Sequence, residues 1–186
     1  MAHGFKRTRK GITARFERPE VRLLQKLFSD VATTLEPEPR EDADPLESLV
    51  GWDEEVPEPE DPAVRRLLPA ASSDPEQAAE FRRLTDRTLR EGKTAALRAS
   101  SLALESDPVL LTPEQAQDFA RALNDVRVVL AARLGIESPE DAERVGELTD
   151  FSRTETVEDY MAVVYNFVSW LQETLMTALL KTLPSR

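Results

Sequence analysis

A residue able to cap a helix stands directly before a proline, with a helix-forming run behind it, at Asp44-Pro45, Asp61-Pro62, Asp74-Pro75, Thr112-Pro113 and Ser138-Pro139. Proline at the first helical position loses nothing by lacking an N–H, and an Asp, Ser or Thr before it accepts from the orphan amides of the first turn. Gln77 and Gln115, three residues after Asp74 and Thr112, complete capping boxes. The signal divides the second half of the chain into a short helix to Leu68, a long one from 75 to 105, one from 113 to 134 and a short one from 139 to 148. Gly135 supplies the left-handed residue that closes the helix from 113. Gly92 falls inside the long helix, where it predicts a kink, at about 1 kcal/mol less stability than alanine.

Two further helices rest on periodicity. Pro19 opens one in which Val21, Leu24, Leu27, Phe28, Val31 and Leu35 share a face, opposite Arg22, Gln25, Lys26 and Ser29. Glu36-Pro37 ends it, because a residue before proline avoids the helical region. The other, from 155 to 181, carries its main stripe on Val157, Tyr160, Met161, Val164, Phe167, Val168, Leu171, Leu175 and Leu179. Val163, Tyr165 and Trp170 extend apolar surface around that cylinder, as in a helix central to a bundle or placed at an interface. Only residues 5 to 16 alternate with the period of a strand: Ile12, Ala14 and Phe16 against Thr13 and Arg15, a turn at Lys10-Gly11, and Phe5, Arg7 and Arg9 opposite. The fold class is mainly α, a helical bundle of about five principal helices with a small N-terminal β-hairpin. Tyr160, Val164, Phe167, Leu171, Leu175, Leu123, Leu130, Phe81, Leu84, Leu24 and Phe28 are the expected core.

Charge sets the domain organisation. Residues 36 to 61 hold twelve of the 35 acids and one of the 24 bases, so this segment carries the whole net charge of -11 and the remainder is balanced. Five of the thirteen prolines also fall there. Such a segment repels itself and buries little, which makes it an acidic, proline-rich tether. Within it Asp44-Pro45-Leu46-Glu47 reads as one docked helical turn bearing Leu46, Leu49, Val50 and Trp52. Residues 1–35 (hairpin and first helix), the tether at 36–61 and the helical body at 62–186 then form one structural domain.

Function is less legible. With no cysteine, thiolate zinc sites, disulfides and cysteine nucleophiles are excluded. The one histidine, His3, lies in the terminus, and six scattered glycines make neither a phosphate loop nor a dinucleotide fingerprint. No catalytic, cofactor or metal set emerges, and the expectation is a protein that is not an enzyme. The basic start leads into no apolar run, and Asn166, Ser169, Gln172 and Glu173 break the most apolar window, so the expected setting is the cytoplasm, without a membrane.

Three groups of residues remain as candidate sites. Tyr165, Trp170 and Met176 exceed what one bundle seam needs and are candidates for contact with a protein partner or a second copy. Lys6, Arg7, Arg9, Lys10 and Arg15, interleaved with Phe5 and Phe16, could hold a polyanion such as nucleic acid by phosphate neutralisation and stacking. The other reading of that strip is a hairpin anchored by its aromatics with its bases solvated, loosely covered by the acidic tether. Asn124, Asp125 and Arg127, an unfavourable polar run inside a helix, are candidates for a polar cleft. Arg82, Arg83, Arg87, Arg90 and Lys93 interleave with Glu80, Asp86 and Glu91 and read as an ordinary exposed face.

Asp61-Pro62-Ala63-Val64-Arg65-Arg66-Leu67-Leu68-Pro69, Glu80-Phe81-Arg82-Arg83-Leu84-Thr85, Ala122-Leu123-Asn124-Asp125-Val126-Arg127 with Arg133-Leu134-Gly135, and Trp170-Leu171-Gln172-Glu173-Thr174-Leu175 together resemble an uncharacterised domain-of-unknown-function family of high-GC Gram-positive bacteria. The resemblance covers most of the chain after the hairpin. It implies a shared pathway with the Clp-protease substrate adaptor, beside whose gene the family's genes often lie, and it carries over no catalytic residues. The expected function is that of a non-enzymatic interaction or regulatory protein. The alternative is a nucleic-acid-binding transcriptional regulator that uses the basic hairpin.

Overall fold

The computed structural model describes residues 3–37 and 56–182, the side chain of Arg153 aside. Their order is β1 (His3–Thr8), β2 (Gly11–Arg15), α1 (Arg18–Thr34), α2 (Pro62–Leu67), α3 (Pro75–Ala103), β3 (Val109–Leu111), α4 (Pro113–Arg133), α5 (Pro139–Gly146), one 3-10 turn (Phe151–Arg153) and α6 (Val157–Leu180). The chain is mainly α with a small N-terminal antiparallel sheet. The turn expected at 45–52, and the tether from 38 to 55, lie outside the described residues.

The helix starts follow the cap-proline signal. Pro62, Pro75, Pro113 and Pro139 each open a helix, and the side chains of Asp61, Asp74, Thr112 and Ser138 accept from amides of the first turn. Thr112 and Gln115 form the expected reciprocal box. Gln77 does not: the Asp74 amide donates to Ser72 Oγ, which also bonds the Gln77 side chain, so a serine two residues upstream takes over that half of the box. Gly135, at φ 63, closes α4, with the Ile136 amide reaching back to the Ala131 carbonyl. α3 runs unbroken through Gly92.

The hairpin is larger than its alternation suggests. β3 joins β2 antiparallel, Ile12 opposite Leu111 and Ala14 opposite Val109, to give the order β1-β2-β3. Three residues are too few to show a period. Gly11 is required where β3 arrives: its φ is 136, and a Cβ there would come within 2.6 Å of the Leu111 carbonyl oxygen. A register shift between His3 and Lys6 marks an irregularity in the β1–β2 ladder.

The sheet turns Phe5, Ile12, Ala14, Val109 and Leu111 onto the bundle, and all five are buried. Phe119 of α4 joins the layers, with its ring edge-on to Phe5 at 5.3 Å and to Phe28 of α1 at 5.6 Å. α4 is the central rod and packs on α1, α2, α3, α6 and the sheet. On the other side of the bundle Asn166 of α6 donates to the carbonyls of Val145 and Leu148 and so caps the end of α5.

Most of the expected core is inside: Leu24, Phe28, Leu123, Leu130, Val164, Leu171 and Leu175 are buried and Phe167 packs against them. Phe81, Leu84 and Tyr160 are corrections, exposed by 48%, 63% and 46%. Tyr160 sits in the first turn of α6 beside the Phe151 ring. Phe81 and Leu84 point away from the body because the inward positions of that half of α3 are taken by charges.

Candidate functional site

The inward row of α3 changes chemistry along its length. Ala96, Leu97 and Ser100 are buried near its end, but continuing the same row toward its start gives Lys93, Arg90, Asp86 and Arg82. Each of these finds a specific partner. Lys93 Nζ donates to Asp125 Oδ1 of α4 at 2.7 Å. Arg90 bridges Asp86 at 2.7 Å and donates to the Leu35 carbonyl at the end of α1 at 2.9 Å. Arg82 donates to the Val56 carbonyl. Arg90 thus satisfies an orphan carbonyl at a helix terminus and places a cation at the negative end of that helix.

Asp125 is the deepest charge of the group, and its second oxygen has no partner among the described residues. Burial pushes its carboxyl pKa above the ordinary value, with the Lys93 ammonium opposing. Asp61 behaves oppositely. Arg133 grips both of its oxygens, Nη1 to Oδ1 at 2.9 Å, and holds its carboxyl below the ordinary range while burial opposes. The end of the acidic segment is therefore fastened to α4 by Asp61 as well as capping α2 with it.

The polar cleft expected from Asn124, Asp125 and Arg127 is not formed. Successive helical positions diverge by about 100°, so Asn124 faces solvent, Asp125 faces α3, and Arg127 faces α6. Arg127 donates to Gln172 Oε1 at 2.7 Å and lies over the Tyr165 ring, 5.7 Å from its centroid. Its Nε and the hydroxyl of Ser169 are buried without a partner among the described residues.

Tyr165, Trp170 and Met176 do not form one patch. Tyr165 is half-buried under Arg127, whereas Trp170 and Met176 are 40% and 43% exposed. Tyr165 and Met176 share a side of α6, and Trp170 lies about 140° around it from Tyr165. Trp170 stacks on Phe167 at 6.2 Å.

On the hairpin, Lys6, Arg7, Arg9, Lys10 and Arg15 are all exposed. Arg7 serves the fold, because its guanidinium donates to the Lys181 carbonyl at the end of α6 and ties β1 to that helix. The Phe5 amide does the same through Thr174 Oγ1. Lys6, Arg9, Lys10 and Arg15 remain as an outward basic group.

Reading the whole basic run of α3 as exposed misses its inward charges. That reading holds for Arg83 and Arg87, which bridge Glu80 and Glu91 on the outside. The signal for the rest is spacing, since 82, 86, 90 and 93 continue the row of Leu97 and Leu104.

A family model described as Domain of unknown function (DUF2017) matches residues 2–179. The chain belongs to this family. The DUF2017 match runs from before β1 to the last turn of α6 and takes in the hairpin, which lies outside the sequence strings that carry the resemblance. No curated protein and no solved structure matches the chain. Among the described residues no three acidic or histidine side chains converge to hold a metal ion, and no helix is long and apolar enough to cross a membrane.

Proposed function

We propose that this DUF2017 chain is a non-enzymatic interaction or regulatory protein of the bacterial cytoplasm that works by binding another protein. The observation that carries the reading is Trp170, which lies 40% exposed against Phe167 on the helix that forms one wall of the core. A large aromatic held in place by a neighbouring ring and left open to solvent is the type of anchor that dominates protein interfaces. The resemblance to actinobacterial proteins encoded beside the Clp adaptor supports a place in the Clp proteolysis pathway. The test is affinity purification from the native host after nuclease treatment, with wild type and Trp170→Ser side by side. A stoichiometric protein recovered with wild type and lost with the variant supports the reading. Equal recovery with both overturns it.

The outward basic group of Lys6, Arg9, Lys10 and Arg15 supports a second reading, a nucleic-acid-binding regulator. A binding assay across a salt series separates the two: phosphate contacts make affinity fall steeply with salt, and substituting those four bases would abolish binding while Trp170→Ser would not.

A further inference from the structure

α3 has a second long face, turned away from the body. Phe81, Leu84 and Leu102 lie along it, exposed by 48%, 63% and 65%. Between them the same exposed face carries only small side chains, Thr88, Gly92, Ala95 and Ala99. The spacing Phe81–Thr88–Ala95–Leu102 is a strict seven, which keeps these residues on one line of a helix paired with another helix. Gly92 is the anomaly within it. Glycine is the least favourable residue in a helix interior after proline, yet a methyl group placed on Gly92 would meet no atom within 4 Å. No packing among the described residues calls for glycine there. The close approach of a second backbone would.

We propose that this face pairs with the same face of a second copy, the two α3 helices lying antiparallel across a two-fold axis at their middle. The charges beside the face select this occupant. With the helices in full overlap, Pro75 of one copy stands opposite Ala103 of the other, which puts the axis at Leu89. Glu80 then faces Arg98 of the second copy and Arg87 faces its Glu91, each pair occurring twice by symmetry. Phe81 falls between Ala95 and Ala99 of the other copy, a large side chain over two small ones. Parallel pairing sets Phe81 on Phe81 and Glu80 on Glu80, like against like. Arg98 makes no ion pair among the described residues, and Glu80, Arg87 and Glu91, although bridged along α3 by Arg83 and by each other, are exposed carboxylates and a guanidinium that can take a second partner across the axis. The 29 residues of α3 extend over about 43 Å, enough for a continuous helix–helix seam. The inward row that holds α3 to the body lies on the opposite side and is undisturbed. This surface is on a different helix from Trp170, and its pairing does not depend on a partner bound there.

The test uses the full chain, which contains no cysteine of its own. Under mild oxidation Thr88→Cys, near the axis, is expected to cross-link to itself. Phe81→Cys is expected not to do so alone, but to cross-link when mixed with Ala99→Cys. In sedimentation across a concentration series the chain is expected to dimerise. Glu80→Arg or Arg98→Glu alone should weaken the dimer by about tenfold, since each removes two symmetric ion pairs, and the two together should restore it. Circular dichroism of each variant checks that it folds, as substitutions at exposed positions should allow. A chain that stays monomeric at its highest soluble concentration overturns the proposal. So does self-cross-linking of Phe81→Cys without that of Thr88→Cys, or a double charge reversal that recovers nothing.

Discussion

α6 and the first half of α3 are cylinders of similar kind attached to the same central rod by opposite chemistry. α6 adheres through Val164, Val168, Leu171 and Leu175, which join Leu123, Val126 and Leu130 of α4 in one buried cluster. Between Pro75 and Gly92, α3 buries one apolar residue, Ala78, and reaches its surroundings through Arg90, braced by Asp86 on the same helix and donating to Leu35, and through Arg82, which donates to Val56, with Lys93 one position beyond. Apolar contact is non-directional and stabilises in proportion to area. Ion pairs contribute little net stability once their desolvation is counted, but they tolerate only one arrangement. α6 therefore supplies stability while α3 is oriented by its charges, which leaves the apolar residues of that half exposed.

The same truncation in the two regions gives the largest contrast. Leu171→Ala, at a fully buried position, is expected to destabilise by about 2–5 kcal/mol. Leu84→Ala is expected to stay within about 0.5 kcal/mol, as at an exposed site away from special features. Urea unfolding at dilute concentration measures both, and a loss at Leu84 comparable to that at Leu171 would mean that the first half of α3 is held by apolar contact after all.

Lys93→Ala probes the charged attachment directly. It leaves Asp125 buried with neither oxygen paired, at a cost of about 3 kcal/mol. Replacing both members with apolar residues of similar size, Lys93→Met with Asp125→Leu, should recover most of that loss. Failure to recover would show that the pair is a net source of stability rather than a device for orientation.

What is legible in the sequence follows the same division. Pro62, Pro75, Pro113 and Pro139 declare their helices because a cap-proline pair ahead of a helix-forming run is a local signal; Asp107-Pro108, followed by Val109–Leu111, leads into β3 instead. Leu24, Phe28, Leu171 and Leu175 declare the core because burial follows periodicity wherever the inward row is apolar. Phe81 and Leu84 mislead for the converse reason: where the inward row is Arg82, Asp86, Arg90 and Lys93, the apolar residues are those left outside. Lys93 and Asp125 lie 32 residues apart and meet only through the packing of α3 on α4. β3 is legible only from Gly11, whose need for glycine comes from a strand nearly 100 residues away. The polar run at Asn124, Asp125 and Arg127 stands out in the sequence, but its separation toward solvent, α3 and α6 depends on which helices flank α4.

Acid separates the buried carboxylate that receives α3 from the carboxylates at helix starts by sign. Asp125 has a folded pKa above its ordinary value of 3.8, so the folded chain binds its proton more tightly than the unfolded one. Stability from this group is fully present below 3.8 and is lost as pH rises through the folded value. Asp61, Asp141 and Asp159 have folded values below 3.8 and contribute stability above it that is lost as pH falls. Wild type should therefore gain relative to Asp125→Asn as pH is lowered from neutrality toward about 4, even while both lose stability through the other carboxylates. Paired urea melts at the two pH values give the result. A loss of wild type relative to Asp125→Asn on acidification would mean that Lys93 outweighs burial at this site.

Gly92→Ala gives the smallest effect and the finest distinction. A helix held by a packed apolar face takes most of its stability from that face, and propensity is a minor correction. The first half of α3 has no such face, so propensity should register there in full. A methyl group at Gly92 meets no neighbour, and alanine in place of glycine inside a helix is worth about 1 kcal/mol. Gly92→Ala is therefore expected to stabilise the dilute chain by about that amount, with amide exchange slowing most between 82 and 92. Stabilisation confined to global unfolding, without added local protection, would show that this half of α3 already opens only with the rest of the bundle. Its charged attachment would then be as cooperative as the apolar one of α6.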